Sequence, residues 1–163
     1  MVSKVKTPAA HFTLRAAHNP DSPAVAAIVF DVLAEYGLPA DPAGTDADLR
    51  DLEASYFARG GRFWVVENAR GDVVGCAGLH RVDAETAELR KMYLRREARG
   101  LGLGRRLLET AIASARELGF RRLTLETATV LKEAIALYTG RGFRPVHEAH
   151  LSCRCDLAYG LDL

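Results

Sequence analysis

Arg99-Gly100-Leu101-Gly102-Leu103-Gly104, followed by the amphipathic run from Arg105 to Leu118, decides how this 163-residue chain is read. Alternating glycines that open a helix let backbone N–H groups approach an anion closely, and the helix N-terminus adds partial positive charge. Arg95, Arg96, Arg99, Arg105 and Arg106 crowd the same place in a chain whose formal net charge is only +1. Such a local excess points to a polyanionic, phosphorylated ligand. A Walker loop would need a Gly-Lys-Ser/Thr ending, and none is present. A dinucleotide fingerprint would place its third glycine at Arg105. Glu126, near the end of a predicted strand, suits the ribose-binding acid of that pattern, but only one strand-helix-strand unit is visible, too little for a doubly wound sheet. A third pattern, Arg/Gln-x-x-Gly-x-Gly/Ala, is satisfied by Arg99, Gly102 and Gly104.

The flanking segments extend the third pattern. Upstream, Glu88-Leu-Arg-Lys-Met92-Tyr-Leu94 reads as a strand leading into the loop. Downstream come Leu123-Thr-Leu-Glu-Thr127, then Ala134-Ile-Ala-Leu-Tyr138 and Gly142-Phe143. This order resembles the GNAT superfamily of acyl-CoA-dependent N-acyltransferases, over roughly residues 62–146 and more loosely at the ends. The resemblance implies an α/β fold of the α+β type in a single domain spanning 1–163. Its sheet is mixed and mostly antiparallel, with helices on both faces and a splayed, bulged central strand. It also implies acetyl-CoA as acyl donor and an N-acetyltransferase that works by direct attack of a primary amine in a ternary complex. A non-catalytic acyl-CoA-binding sensor or regulatory module is the alternative from another functional class.

Bulk properties set outer bounds. The length suits one domain with an adequate core. Hydrophobic residues at 48% and charged residues at 26% place the chain among soluble globular proteins. No apolar run is long enough to span a bilayer, and Met1-Val-Ser-Lys-Val-Lys6 lacks the apolar segment of a secretory signal. The near-neutral balance and the lack of a broad basic surface with interleaved aromatics argue against nucleic acid and membrane partners. The expected partners are a small-molecule or peptide amine, with the protein a monomer or a homodimer paired through its closing strands.

The three cysteines form no disulfide framework, and a reducing cytoplasm is the simplest location. Cys76, inside Val73–Leu79, reads as a buried structural thiol. Cys153 and Cys155 would face one side of a strand. No histidine spacing supports a metal site.

Along the chain, His11 to Ala17 reads as a first strand with Phe12, Leu14 and Ala16 on one face. A helix covers Ala24 to Tyr36. A loop from Gly37 to Gly44 leads to a second helix from Asp46, as N-cap, to Ala58, ended by Gly60-Gly61. Arg62–Asn68 and Val73–Val82 form a hairpin. Thr86 to Leu94 is the next strand, in which Leu89, Met92 and Leu94 cannot share a face under strict period-two alternation. An extra residue between Leu89 and Met92, the β-bulge that the resemblance implies here, would resolve the mismatch; a regular strand with Arg90 and Met92 on a mixed face is the alternative. After the loop, Leu103, Leu107, Leu108, Ala111, Ile112, Ala115 and Leu118 make an apolar helix stripe. Arg121–Thr127 is a strand reached by a right-handed crossover by default, Leu131–Gly140 a final helix, and His147–Tyr159 one or two closing strands.

The resemblance assigns roles residue by residue. Met92, Tyr93 and Leu94 would pair through the main chain with pantetheine and polarise the thioester carbonyl. Arg99, Gly100, Leu101, Gly102, Leu103, Gly104 and Arg105 would hold the pyrophosphate, with Arg99 or Arg105 reaching the 3′-phosphate. Arg95, Arg96 and Arg106 read as a solvated face. Tyr138 matches the family's general acid, its ordinary pKa near 10 lying close to that of a departing alkyl thiolate. Glu88 matches the position that takes a proton from the amine, followed by Glu126 and then His80. An ion pair of Glu88 with Arg90 on the sheet surface is the competing reading for that residue. The chain departs from the family at Leu131, where relatives frequently carry Asn or Gln. Gly37 to Asp48 would shape the acceptor pocket, with Asp41, Asp46 and Asp48 available to a cationic amine, although Asp46 and Asp48 also suit the start of a helix.

Overall fold

Period-two alternation in one half of the segments and a 3.6-residue stripe in the others build a sheet with helices on both sides. The computed structural model describes residues 11–148 and 150–163; Met1–Lys6, read above for its lack of an apolar leader, lies outside them. Strands β1 (Thr13–Ala16), β2 (Arg62–Glu67), β3 (Val73–Arg81), β4 (Thr86–Leu94), β5 (Arg122–Thr127), β6 (Arg144–Pro145) and β7 (Leu157–Asp162) form one sheet in the order β1-β2-β3-β4-β5-β7-β6. All neighbours are antiparallel except β4 and β5. Parallel neighbours need a long crossover, and α3 (Leu103–Glu117) supplies it.

The α3 residues Leu103, Leu107, Leu108, Ala111, Ile112 and Ala115 are all buried, against a sheet face that includes Ala77, Leu79, Ala87, Leu89, Leu123 and Leu125. Helix α4 (Lys132–Gly140) joins the same cluster through Tyr138. The opposite sheet face, carrying Phe63, Val65 and Cys76, is covered by α1 (Ser22–Glu35) and by Leu52 and Tyr56 from the short α2 (Leu52–Ser55) and its C-cap. Cys76 is fully buried, as a structural thiol should be.

The bulge lies where the β4 pattern requires it. Cys76 pairs with Tyr93 and Gly78 with Arg90, so Ala77 alone faces both Lys91 and Met92. Lys91 takes φ 54°, the one positive φ outside glycine among the described residues. That conformation costs about 1–2 kcal/mol for a side chain with a Cβ. The β4–β5 ladder then ends at Leu89 and Leu125, while β5 continues to Thr127 paired with β7. From Arg90 onward, β4 has no strand partner on that edge, and the two strands part.

Other segments differ from the sequence reading. Strand β1 is shorter than His11–Ala17, and Ala16 is exposed. No continuous helix runs from Asp46 to Ala58: the segment breaks into 3-10 turns at Ala47–Arg50 and Phe57–Arg59 around α2. Asp46 does not cap a helix with its side chain, which is committed elsewhere; Asp51 caps α2 by accepting from the Ala54 N–H at 2.8 Å. Gly60, at φ 82°, does end the segment. The closing strands lie at Arg144–Pro145 and Leu157–Asp162, with Cys153 and Cys155 in the loop between, the first exposed and the second half-buried, and so not on one strand face.

Leu107→Ala tests the α3 stripe. Its residue is wholly buried, so truncation should cost about 2–5 kcal/mol. Urea unfolding should show a lower midpoint with an unchanged slope.

Candidate active site

Where β4 and β5 part, a cavity of about 860 Å³ opens through the sheet layer. Arg90–Leu94 line one wall and Glu126–Ala128 the other, with the start of α3, Tyr138 of α4, and the segments 36–48 and 152–155 completing it.

The α3 end is built for an anion. Gly100 and Gly102 hold φ of 72° and 81°, conformations in which a β-carbon is strained. Gly102 is the N-cap and contributes no capping side chain, so the first-turn N–H groups of α3 keep no partner of their own. Gly104 faces the cavity, and an added Cβ there would meet only Leu137 and Leu94 at 3.6 and 3.7 Å. Arg99 is held in place: its Nε donates to the Leu94 carbonyl at 2.9 Å, and its Nη atoms donate to the Glu35 carboxylate at 2.9 and 3.2 Å. The Arg99 hydrogen bond keeps the Glu35 carboxyl below its ordinary range. Arg105 also lines the cavity. Leu101 and Leu103 do not; their side chains pack into the core and leave only main chain to a ligand. Arg95 and Arg96 form outward ion pairs with Asp31 and Glu35.

Mid-cavity, Met92, Tyr93 and Leu94 face Leu131, Leu137 and Tyr138. Burial pushes the Tyr138 phenol well above its ordinary pKa, assisted by Tyr93. Burial also pushes Tyr93 up to about 12. Leu131 gives the wall an apolar contact.

At the other end stand Asp48, Glu88, Arg90, Glu126, Ser152, Arg154 and Cys155. Arg90 Nε donates to Glu88, the sheet-surface pair weighed above. Glu126 accepts from the Ser152 N–H at 3.3 Å. Burial raises its carboxyl above the usual glutamate range, and the neighbouring Glu88 charge adds to the shift. Burial likewise raises the Cys155 thiol. His80 does not line the cavity; it is half-buried edge-on to Tyr56 at 6.0 Å, and burial lowers its pKa.

The 41–50 segment shapes this end differently from the sequence reading. Asp41 is turned onto its own loop, accepting from Gly44 and Thr45 N–H groups, and only Asp48 of the three aspartates lines the cavity. Asp46 is buried against Lys91 and Arg154. Burial opposes its ionisation, but hydrogen bonds from Arg154 and Lys91 prevail and hold the carboxyl down at about 2. Neither Lys91 nor Arg154 was picked out by sequence; a lysine within an apolar-alternating strand was the available signal for the first.

The model of the acetyltransferase (GNAT) family matches residues 27–143. The chain belongs to the GNAT acetyltransferase family. It is 43% identical over 143 residues to the uncharacterized N-acetyltransferase YjgM of Escherichia coli K12, covering 82% of this chain and 85% of that one. An acetyltransferase of the GNAT family from Staphylococcus aureus Mu50 shares the fold with a TM-score of 0.87 at 22% identity, over 93% of this chain and 98% of its own. YncA from Salmonella typhimurium, solved with its cofactor acetyl-CoA, superposes with a TM-score of 0.74 at 23% identity, over 93% and 94% of the two chains. GNAT proteins use acetyl-CoA as acyl donor. The residues here fit that donor: the uncapped α3 start and the glycine turn offer N–H groups to a pyrophosphate, and the cavity continues from there between β4 and β5. Among the described residues no helix is long and apolar enough to cross a membrane, and no group of three His, Cys, Asp or Glu side chains is placed to hold a metal ion.

Gly104→Glu places a carboxylate at the α3 start without a steric clash in the core. Calorimetric titration should show acetyl-CoA binding weakened by about 100-fold, with the circular dichroism spectrum unchanged.

Proposed function

We propose that this GNAT protein moves an acetyl group from acetyl-CoA to a primary amine by direct attack, with both bound together. In this reading Glu126 accepts the proton of the incoming ammonium and Tyr138 donates one to the departing sulfur. The observation that carries it is the placement of a phenol and a desolvated carboxyl in one cavity with the anion-binding start of α3.

The thioester supplies an already activated acyl group, so the chain needs no covalent intermediate. Cys155, the thiol in the cavity, supports that reading: burial keeps it protonated and therefore a poor nucleophile. An amine must shed a proton to attack, and a carboxyl raised above the ordinary glutamate range is better matched to that task than a normal one. Glu126 is favoured over Glu88 because Arg90 already holds the Glu88 carboxylate. Glu88 contributes its charge, which raises Glu126. Main-chain N–H groups of Met92 or its neighbours, on the stretch of β4 that has left β5, would polarise the acyl carbonyl. A phenol is protonated through the neutral range even at its ordinary pKa, and burial moves Tyr138 further above the thiolate it would serve, so its donor role rests on its place in the cavity. The cytoplasm remains the simplest location.

Tyr138→Phe should lower kcat by about 100-fold while acetyl-CoA binding, read by calorimetry, stays within a factor of two or so of wild type. A wild-type protein that binds acetyl-CoA yet acetylates nothing in a broad amine panel would instead make the chain a cofactor-binding module.

Glu126→Gln tests the base. A base acts when ionised, so wild-type kcat/KM should fall as pH drops through the raised Glu126 pKa. The variant should lose that acidic limb and most of its rate; a limb that persists unchanged would assign the proton to another group.

A further inference from the structure

Lys91, Asp46, Asp48 and Arg154 form a buried charged set beside the acceptor end of the cavity that the chemistry above leaves unused. The Asp46 side chain has no exposed surface, and those of Lys91 and Arg154 are 4% and 5% exposed. Lys91 Nζ lies 2.8 Å from Asp46 Oδ1. Arg154 Nη1 and Nη2 donate to Oδ2 and Oδ1 at 2.8 and 2.7 Å, the two-pronged geometry that fixes both partners. The Asp41 N–H adds a fourth contact to Oδ2 at 2.9 Å. Lys91 also donates to the Thr45 carbonyl at 2.9 Å and lies 3.4 Å from Asp48, whose other oxygen accepts from the Tyr56 hydroxyl. Two aspartates balance one lysine and one arginine, so the set is neutral, with Asp48 Oδ1 buried without a hydrogen-bond partner.

We infer that Asp46 is a positioning residue for acetyl transfer, locking the acceptor wall and the β4 bulge into one geometry. This inference rests on the transferase reading given above. The single carboxylate joins three segments remote in sequence: the loop before α2, the bulge of β4 and the loop before β7. Through Lys91 it holds a lysine at φ 54°, a conformation that persists only where surrounding contacts over-determine it. Lys91 precedes Met92 on the stretch of β4 that lines the cavity without a β5 partner. Its own carbonyl is pinned from the other side by the Cys76 thiol at 3.1 Å. Through Arg154, Asp46 holds the turn in which the Cys155 N–H donates to the Ser152 carbonyl and the Ser152 N–H donates to Glu126. Both the carbonyl-polarising edge and the base are therefore oriented from one buried point. An apolar cluster of the same volume would fill the space without fixing direction. Loss of the Asp46 charge would also leave an uncompensated cation beside a cavity that must admit an ammonium group.

Asp46→Asn and Arg154→Lys test this together. The glycine turn and the α3 start lie outside the set, so calorimetry should find acetyl-CoA affinity within about twofold of wild type in both. With an amine that wild type acetylates, Asp46→Asn should raise KM by about tenfold or more and lower kcat/KM further. Arg154→Lys keeps the charge but loses the two-pronged contact, and should fall between them. Hydrogen exchange should quicken at residues 41–48, 90–93 and 152–155 and stay unchanged across α3. Unchanged exchange at 152–155 in both variants would overturn the inference, as would equal losses of acetyl-CoA and amine affinity with faster exchange throughout. Should Asp46→Asn fail to fold, Arg154→Lys carries the same readouts. Should wild type acetylate no amine, the transferase reading fails, while the exchange pattern still decides whether Asp46 locks these three segments.

Discussion

The divergence of two parallel strands is the constraint on which the rest of the molecule depends. Strands β4 and β5 pair for four residues and then separate, because an extra residue at Lys91 and Met92 turns β4 aside. A sheet interior is normally closed to ligands, since its main-chain groups are consumed by neighbouring strands. Here the pairing ends in mid-sheet, so a cavity runs between strands and carries main-chain groups on its walls. The crossover helix α3 must start close to the end of β4, which puts its N-terminus at the mouth of that opening. The cavity and the sheet topology are thus one arrangement.

Electrostatics divides the cavity along its length. Its α3 end presents N–H groups, Arg99 and Arg105, while Glu88 and Glu126 stand at the other end with Arg90. Burial acts on both proposed proton-transfer groups and moves both pKa values upward. The consequences differ by chemistry. A raised phenol stays a proton donor, whereas a raised carboxyl becomes a better acceptor near neutral pH. The same burial therefore strengthens the carboxyl as a base and weakens the phenol as an acid.

Features governed by local physics were legible in the sequence. The glycine turn, the α3 stripe and the strand limits of β4 follow from φ requirements and periodicity, and the mismatch among Leu89, Met92 and Leu94 locates the bulge. Features set by distant partners were not. Asp46 looks like a helix cap, but Arg154, 108 residues away, claims its carboxylate, and no continuous helix runs from 46 to 58. Alternation suggested a strand through Cys153 and Cys155, but Arg154 turns inward between them to reach Asp46 and the segment stays a loop. The family resemblance favoured Glu88 over Glu126 as base; the difference between them rests on the Arg90 side chain and on burial, neither of which the sequence pattern reports.

The contact between Arg99 and Glu35 would give the proposed anion site a selectivity of its own. An open arginine cluster at a helix start would gather whatever anion the solvent offers. Arg99 instead already carries an anion supplied by α1, tethered and hence at high effective concentration. Simple ions in solution must displace that resident carboxylate and gain little by the exchange. A pyrophosphate that also engaged the N–H groups of the glycine turn would bring more contacts than the carboxylate can. In the proposed site the internal rival would act as a threshold, holding the arginine in place and reserving it for a multivalent ligand.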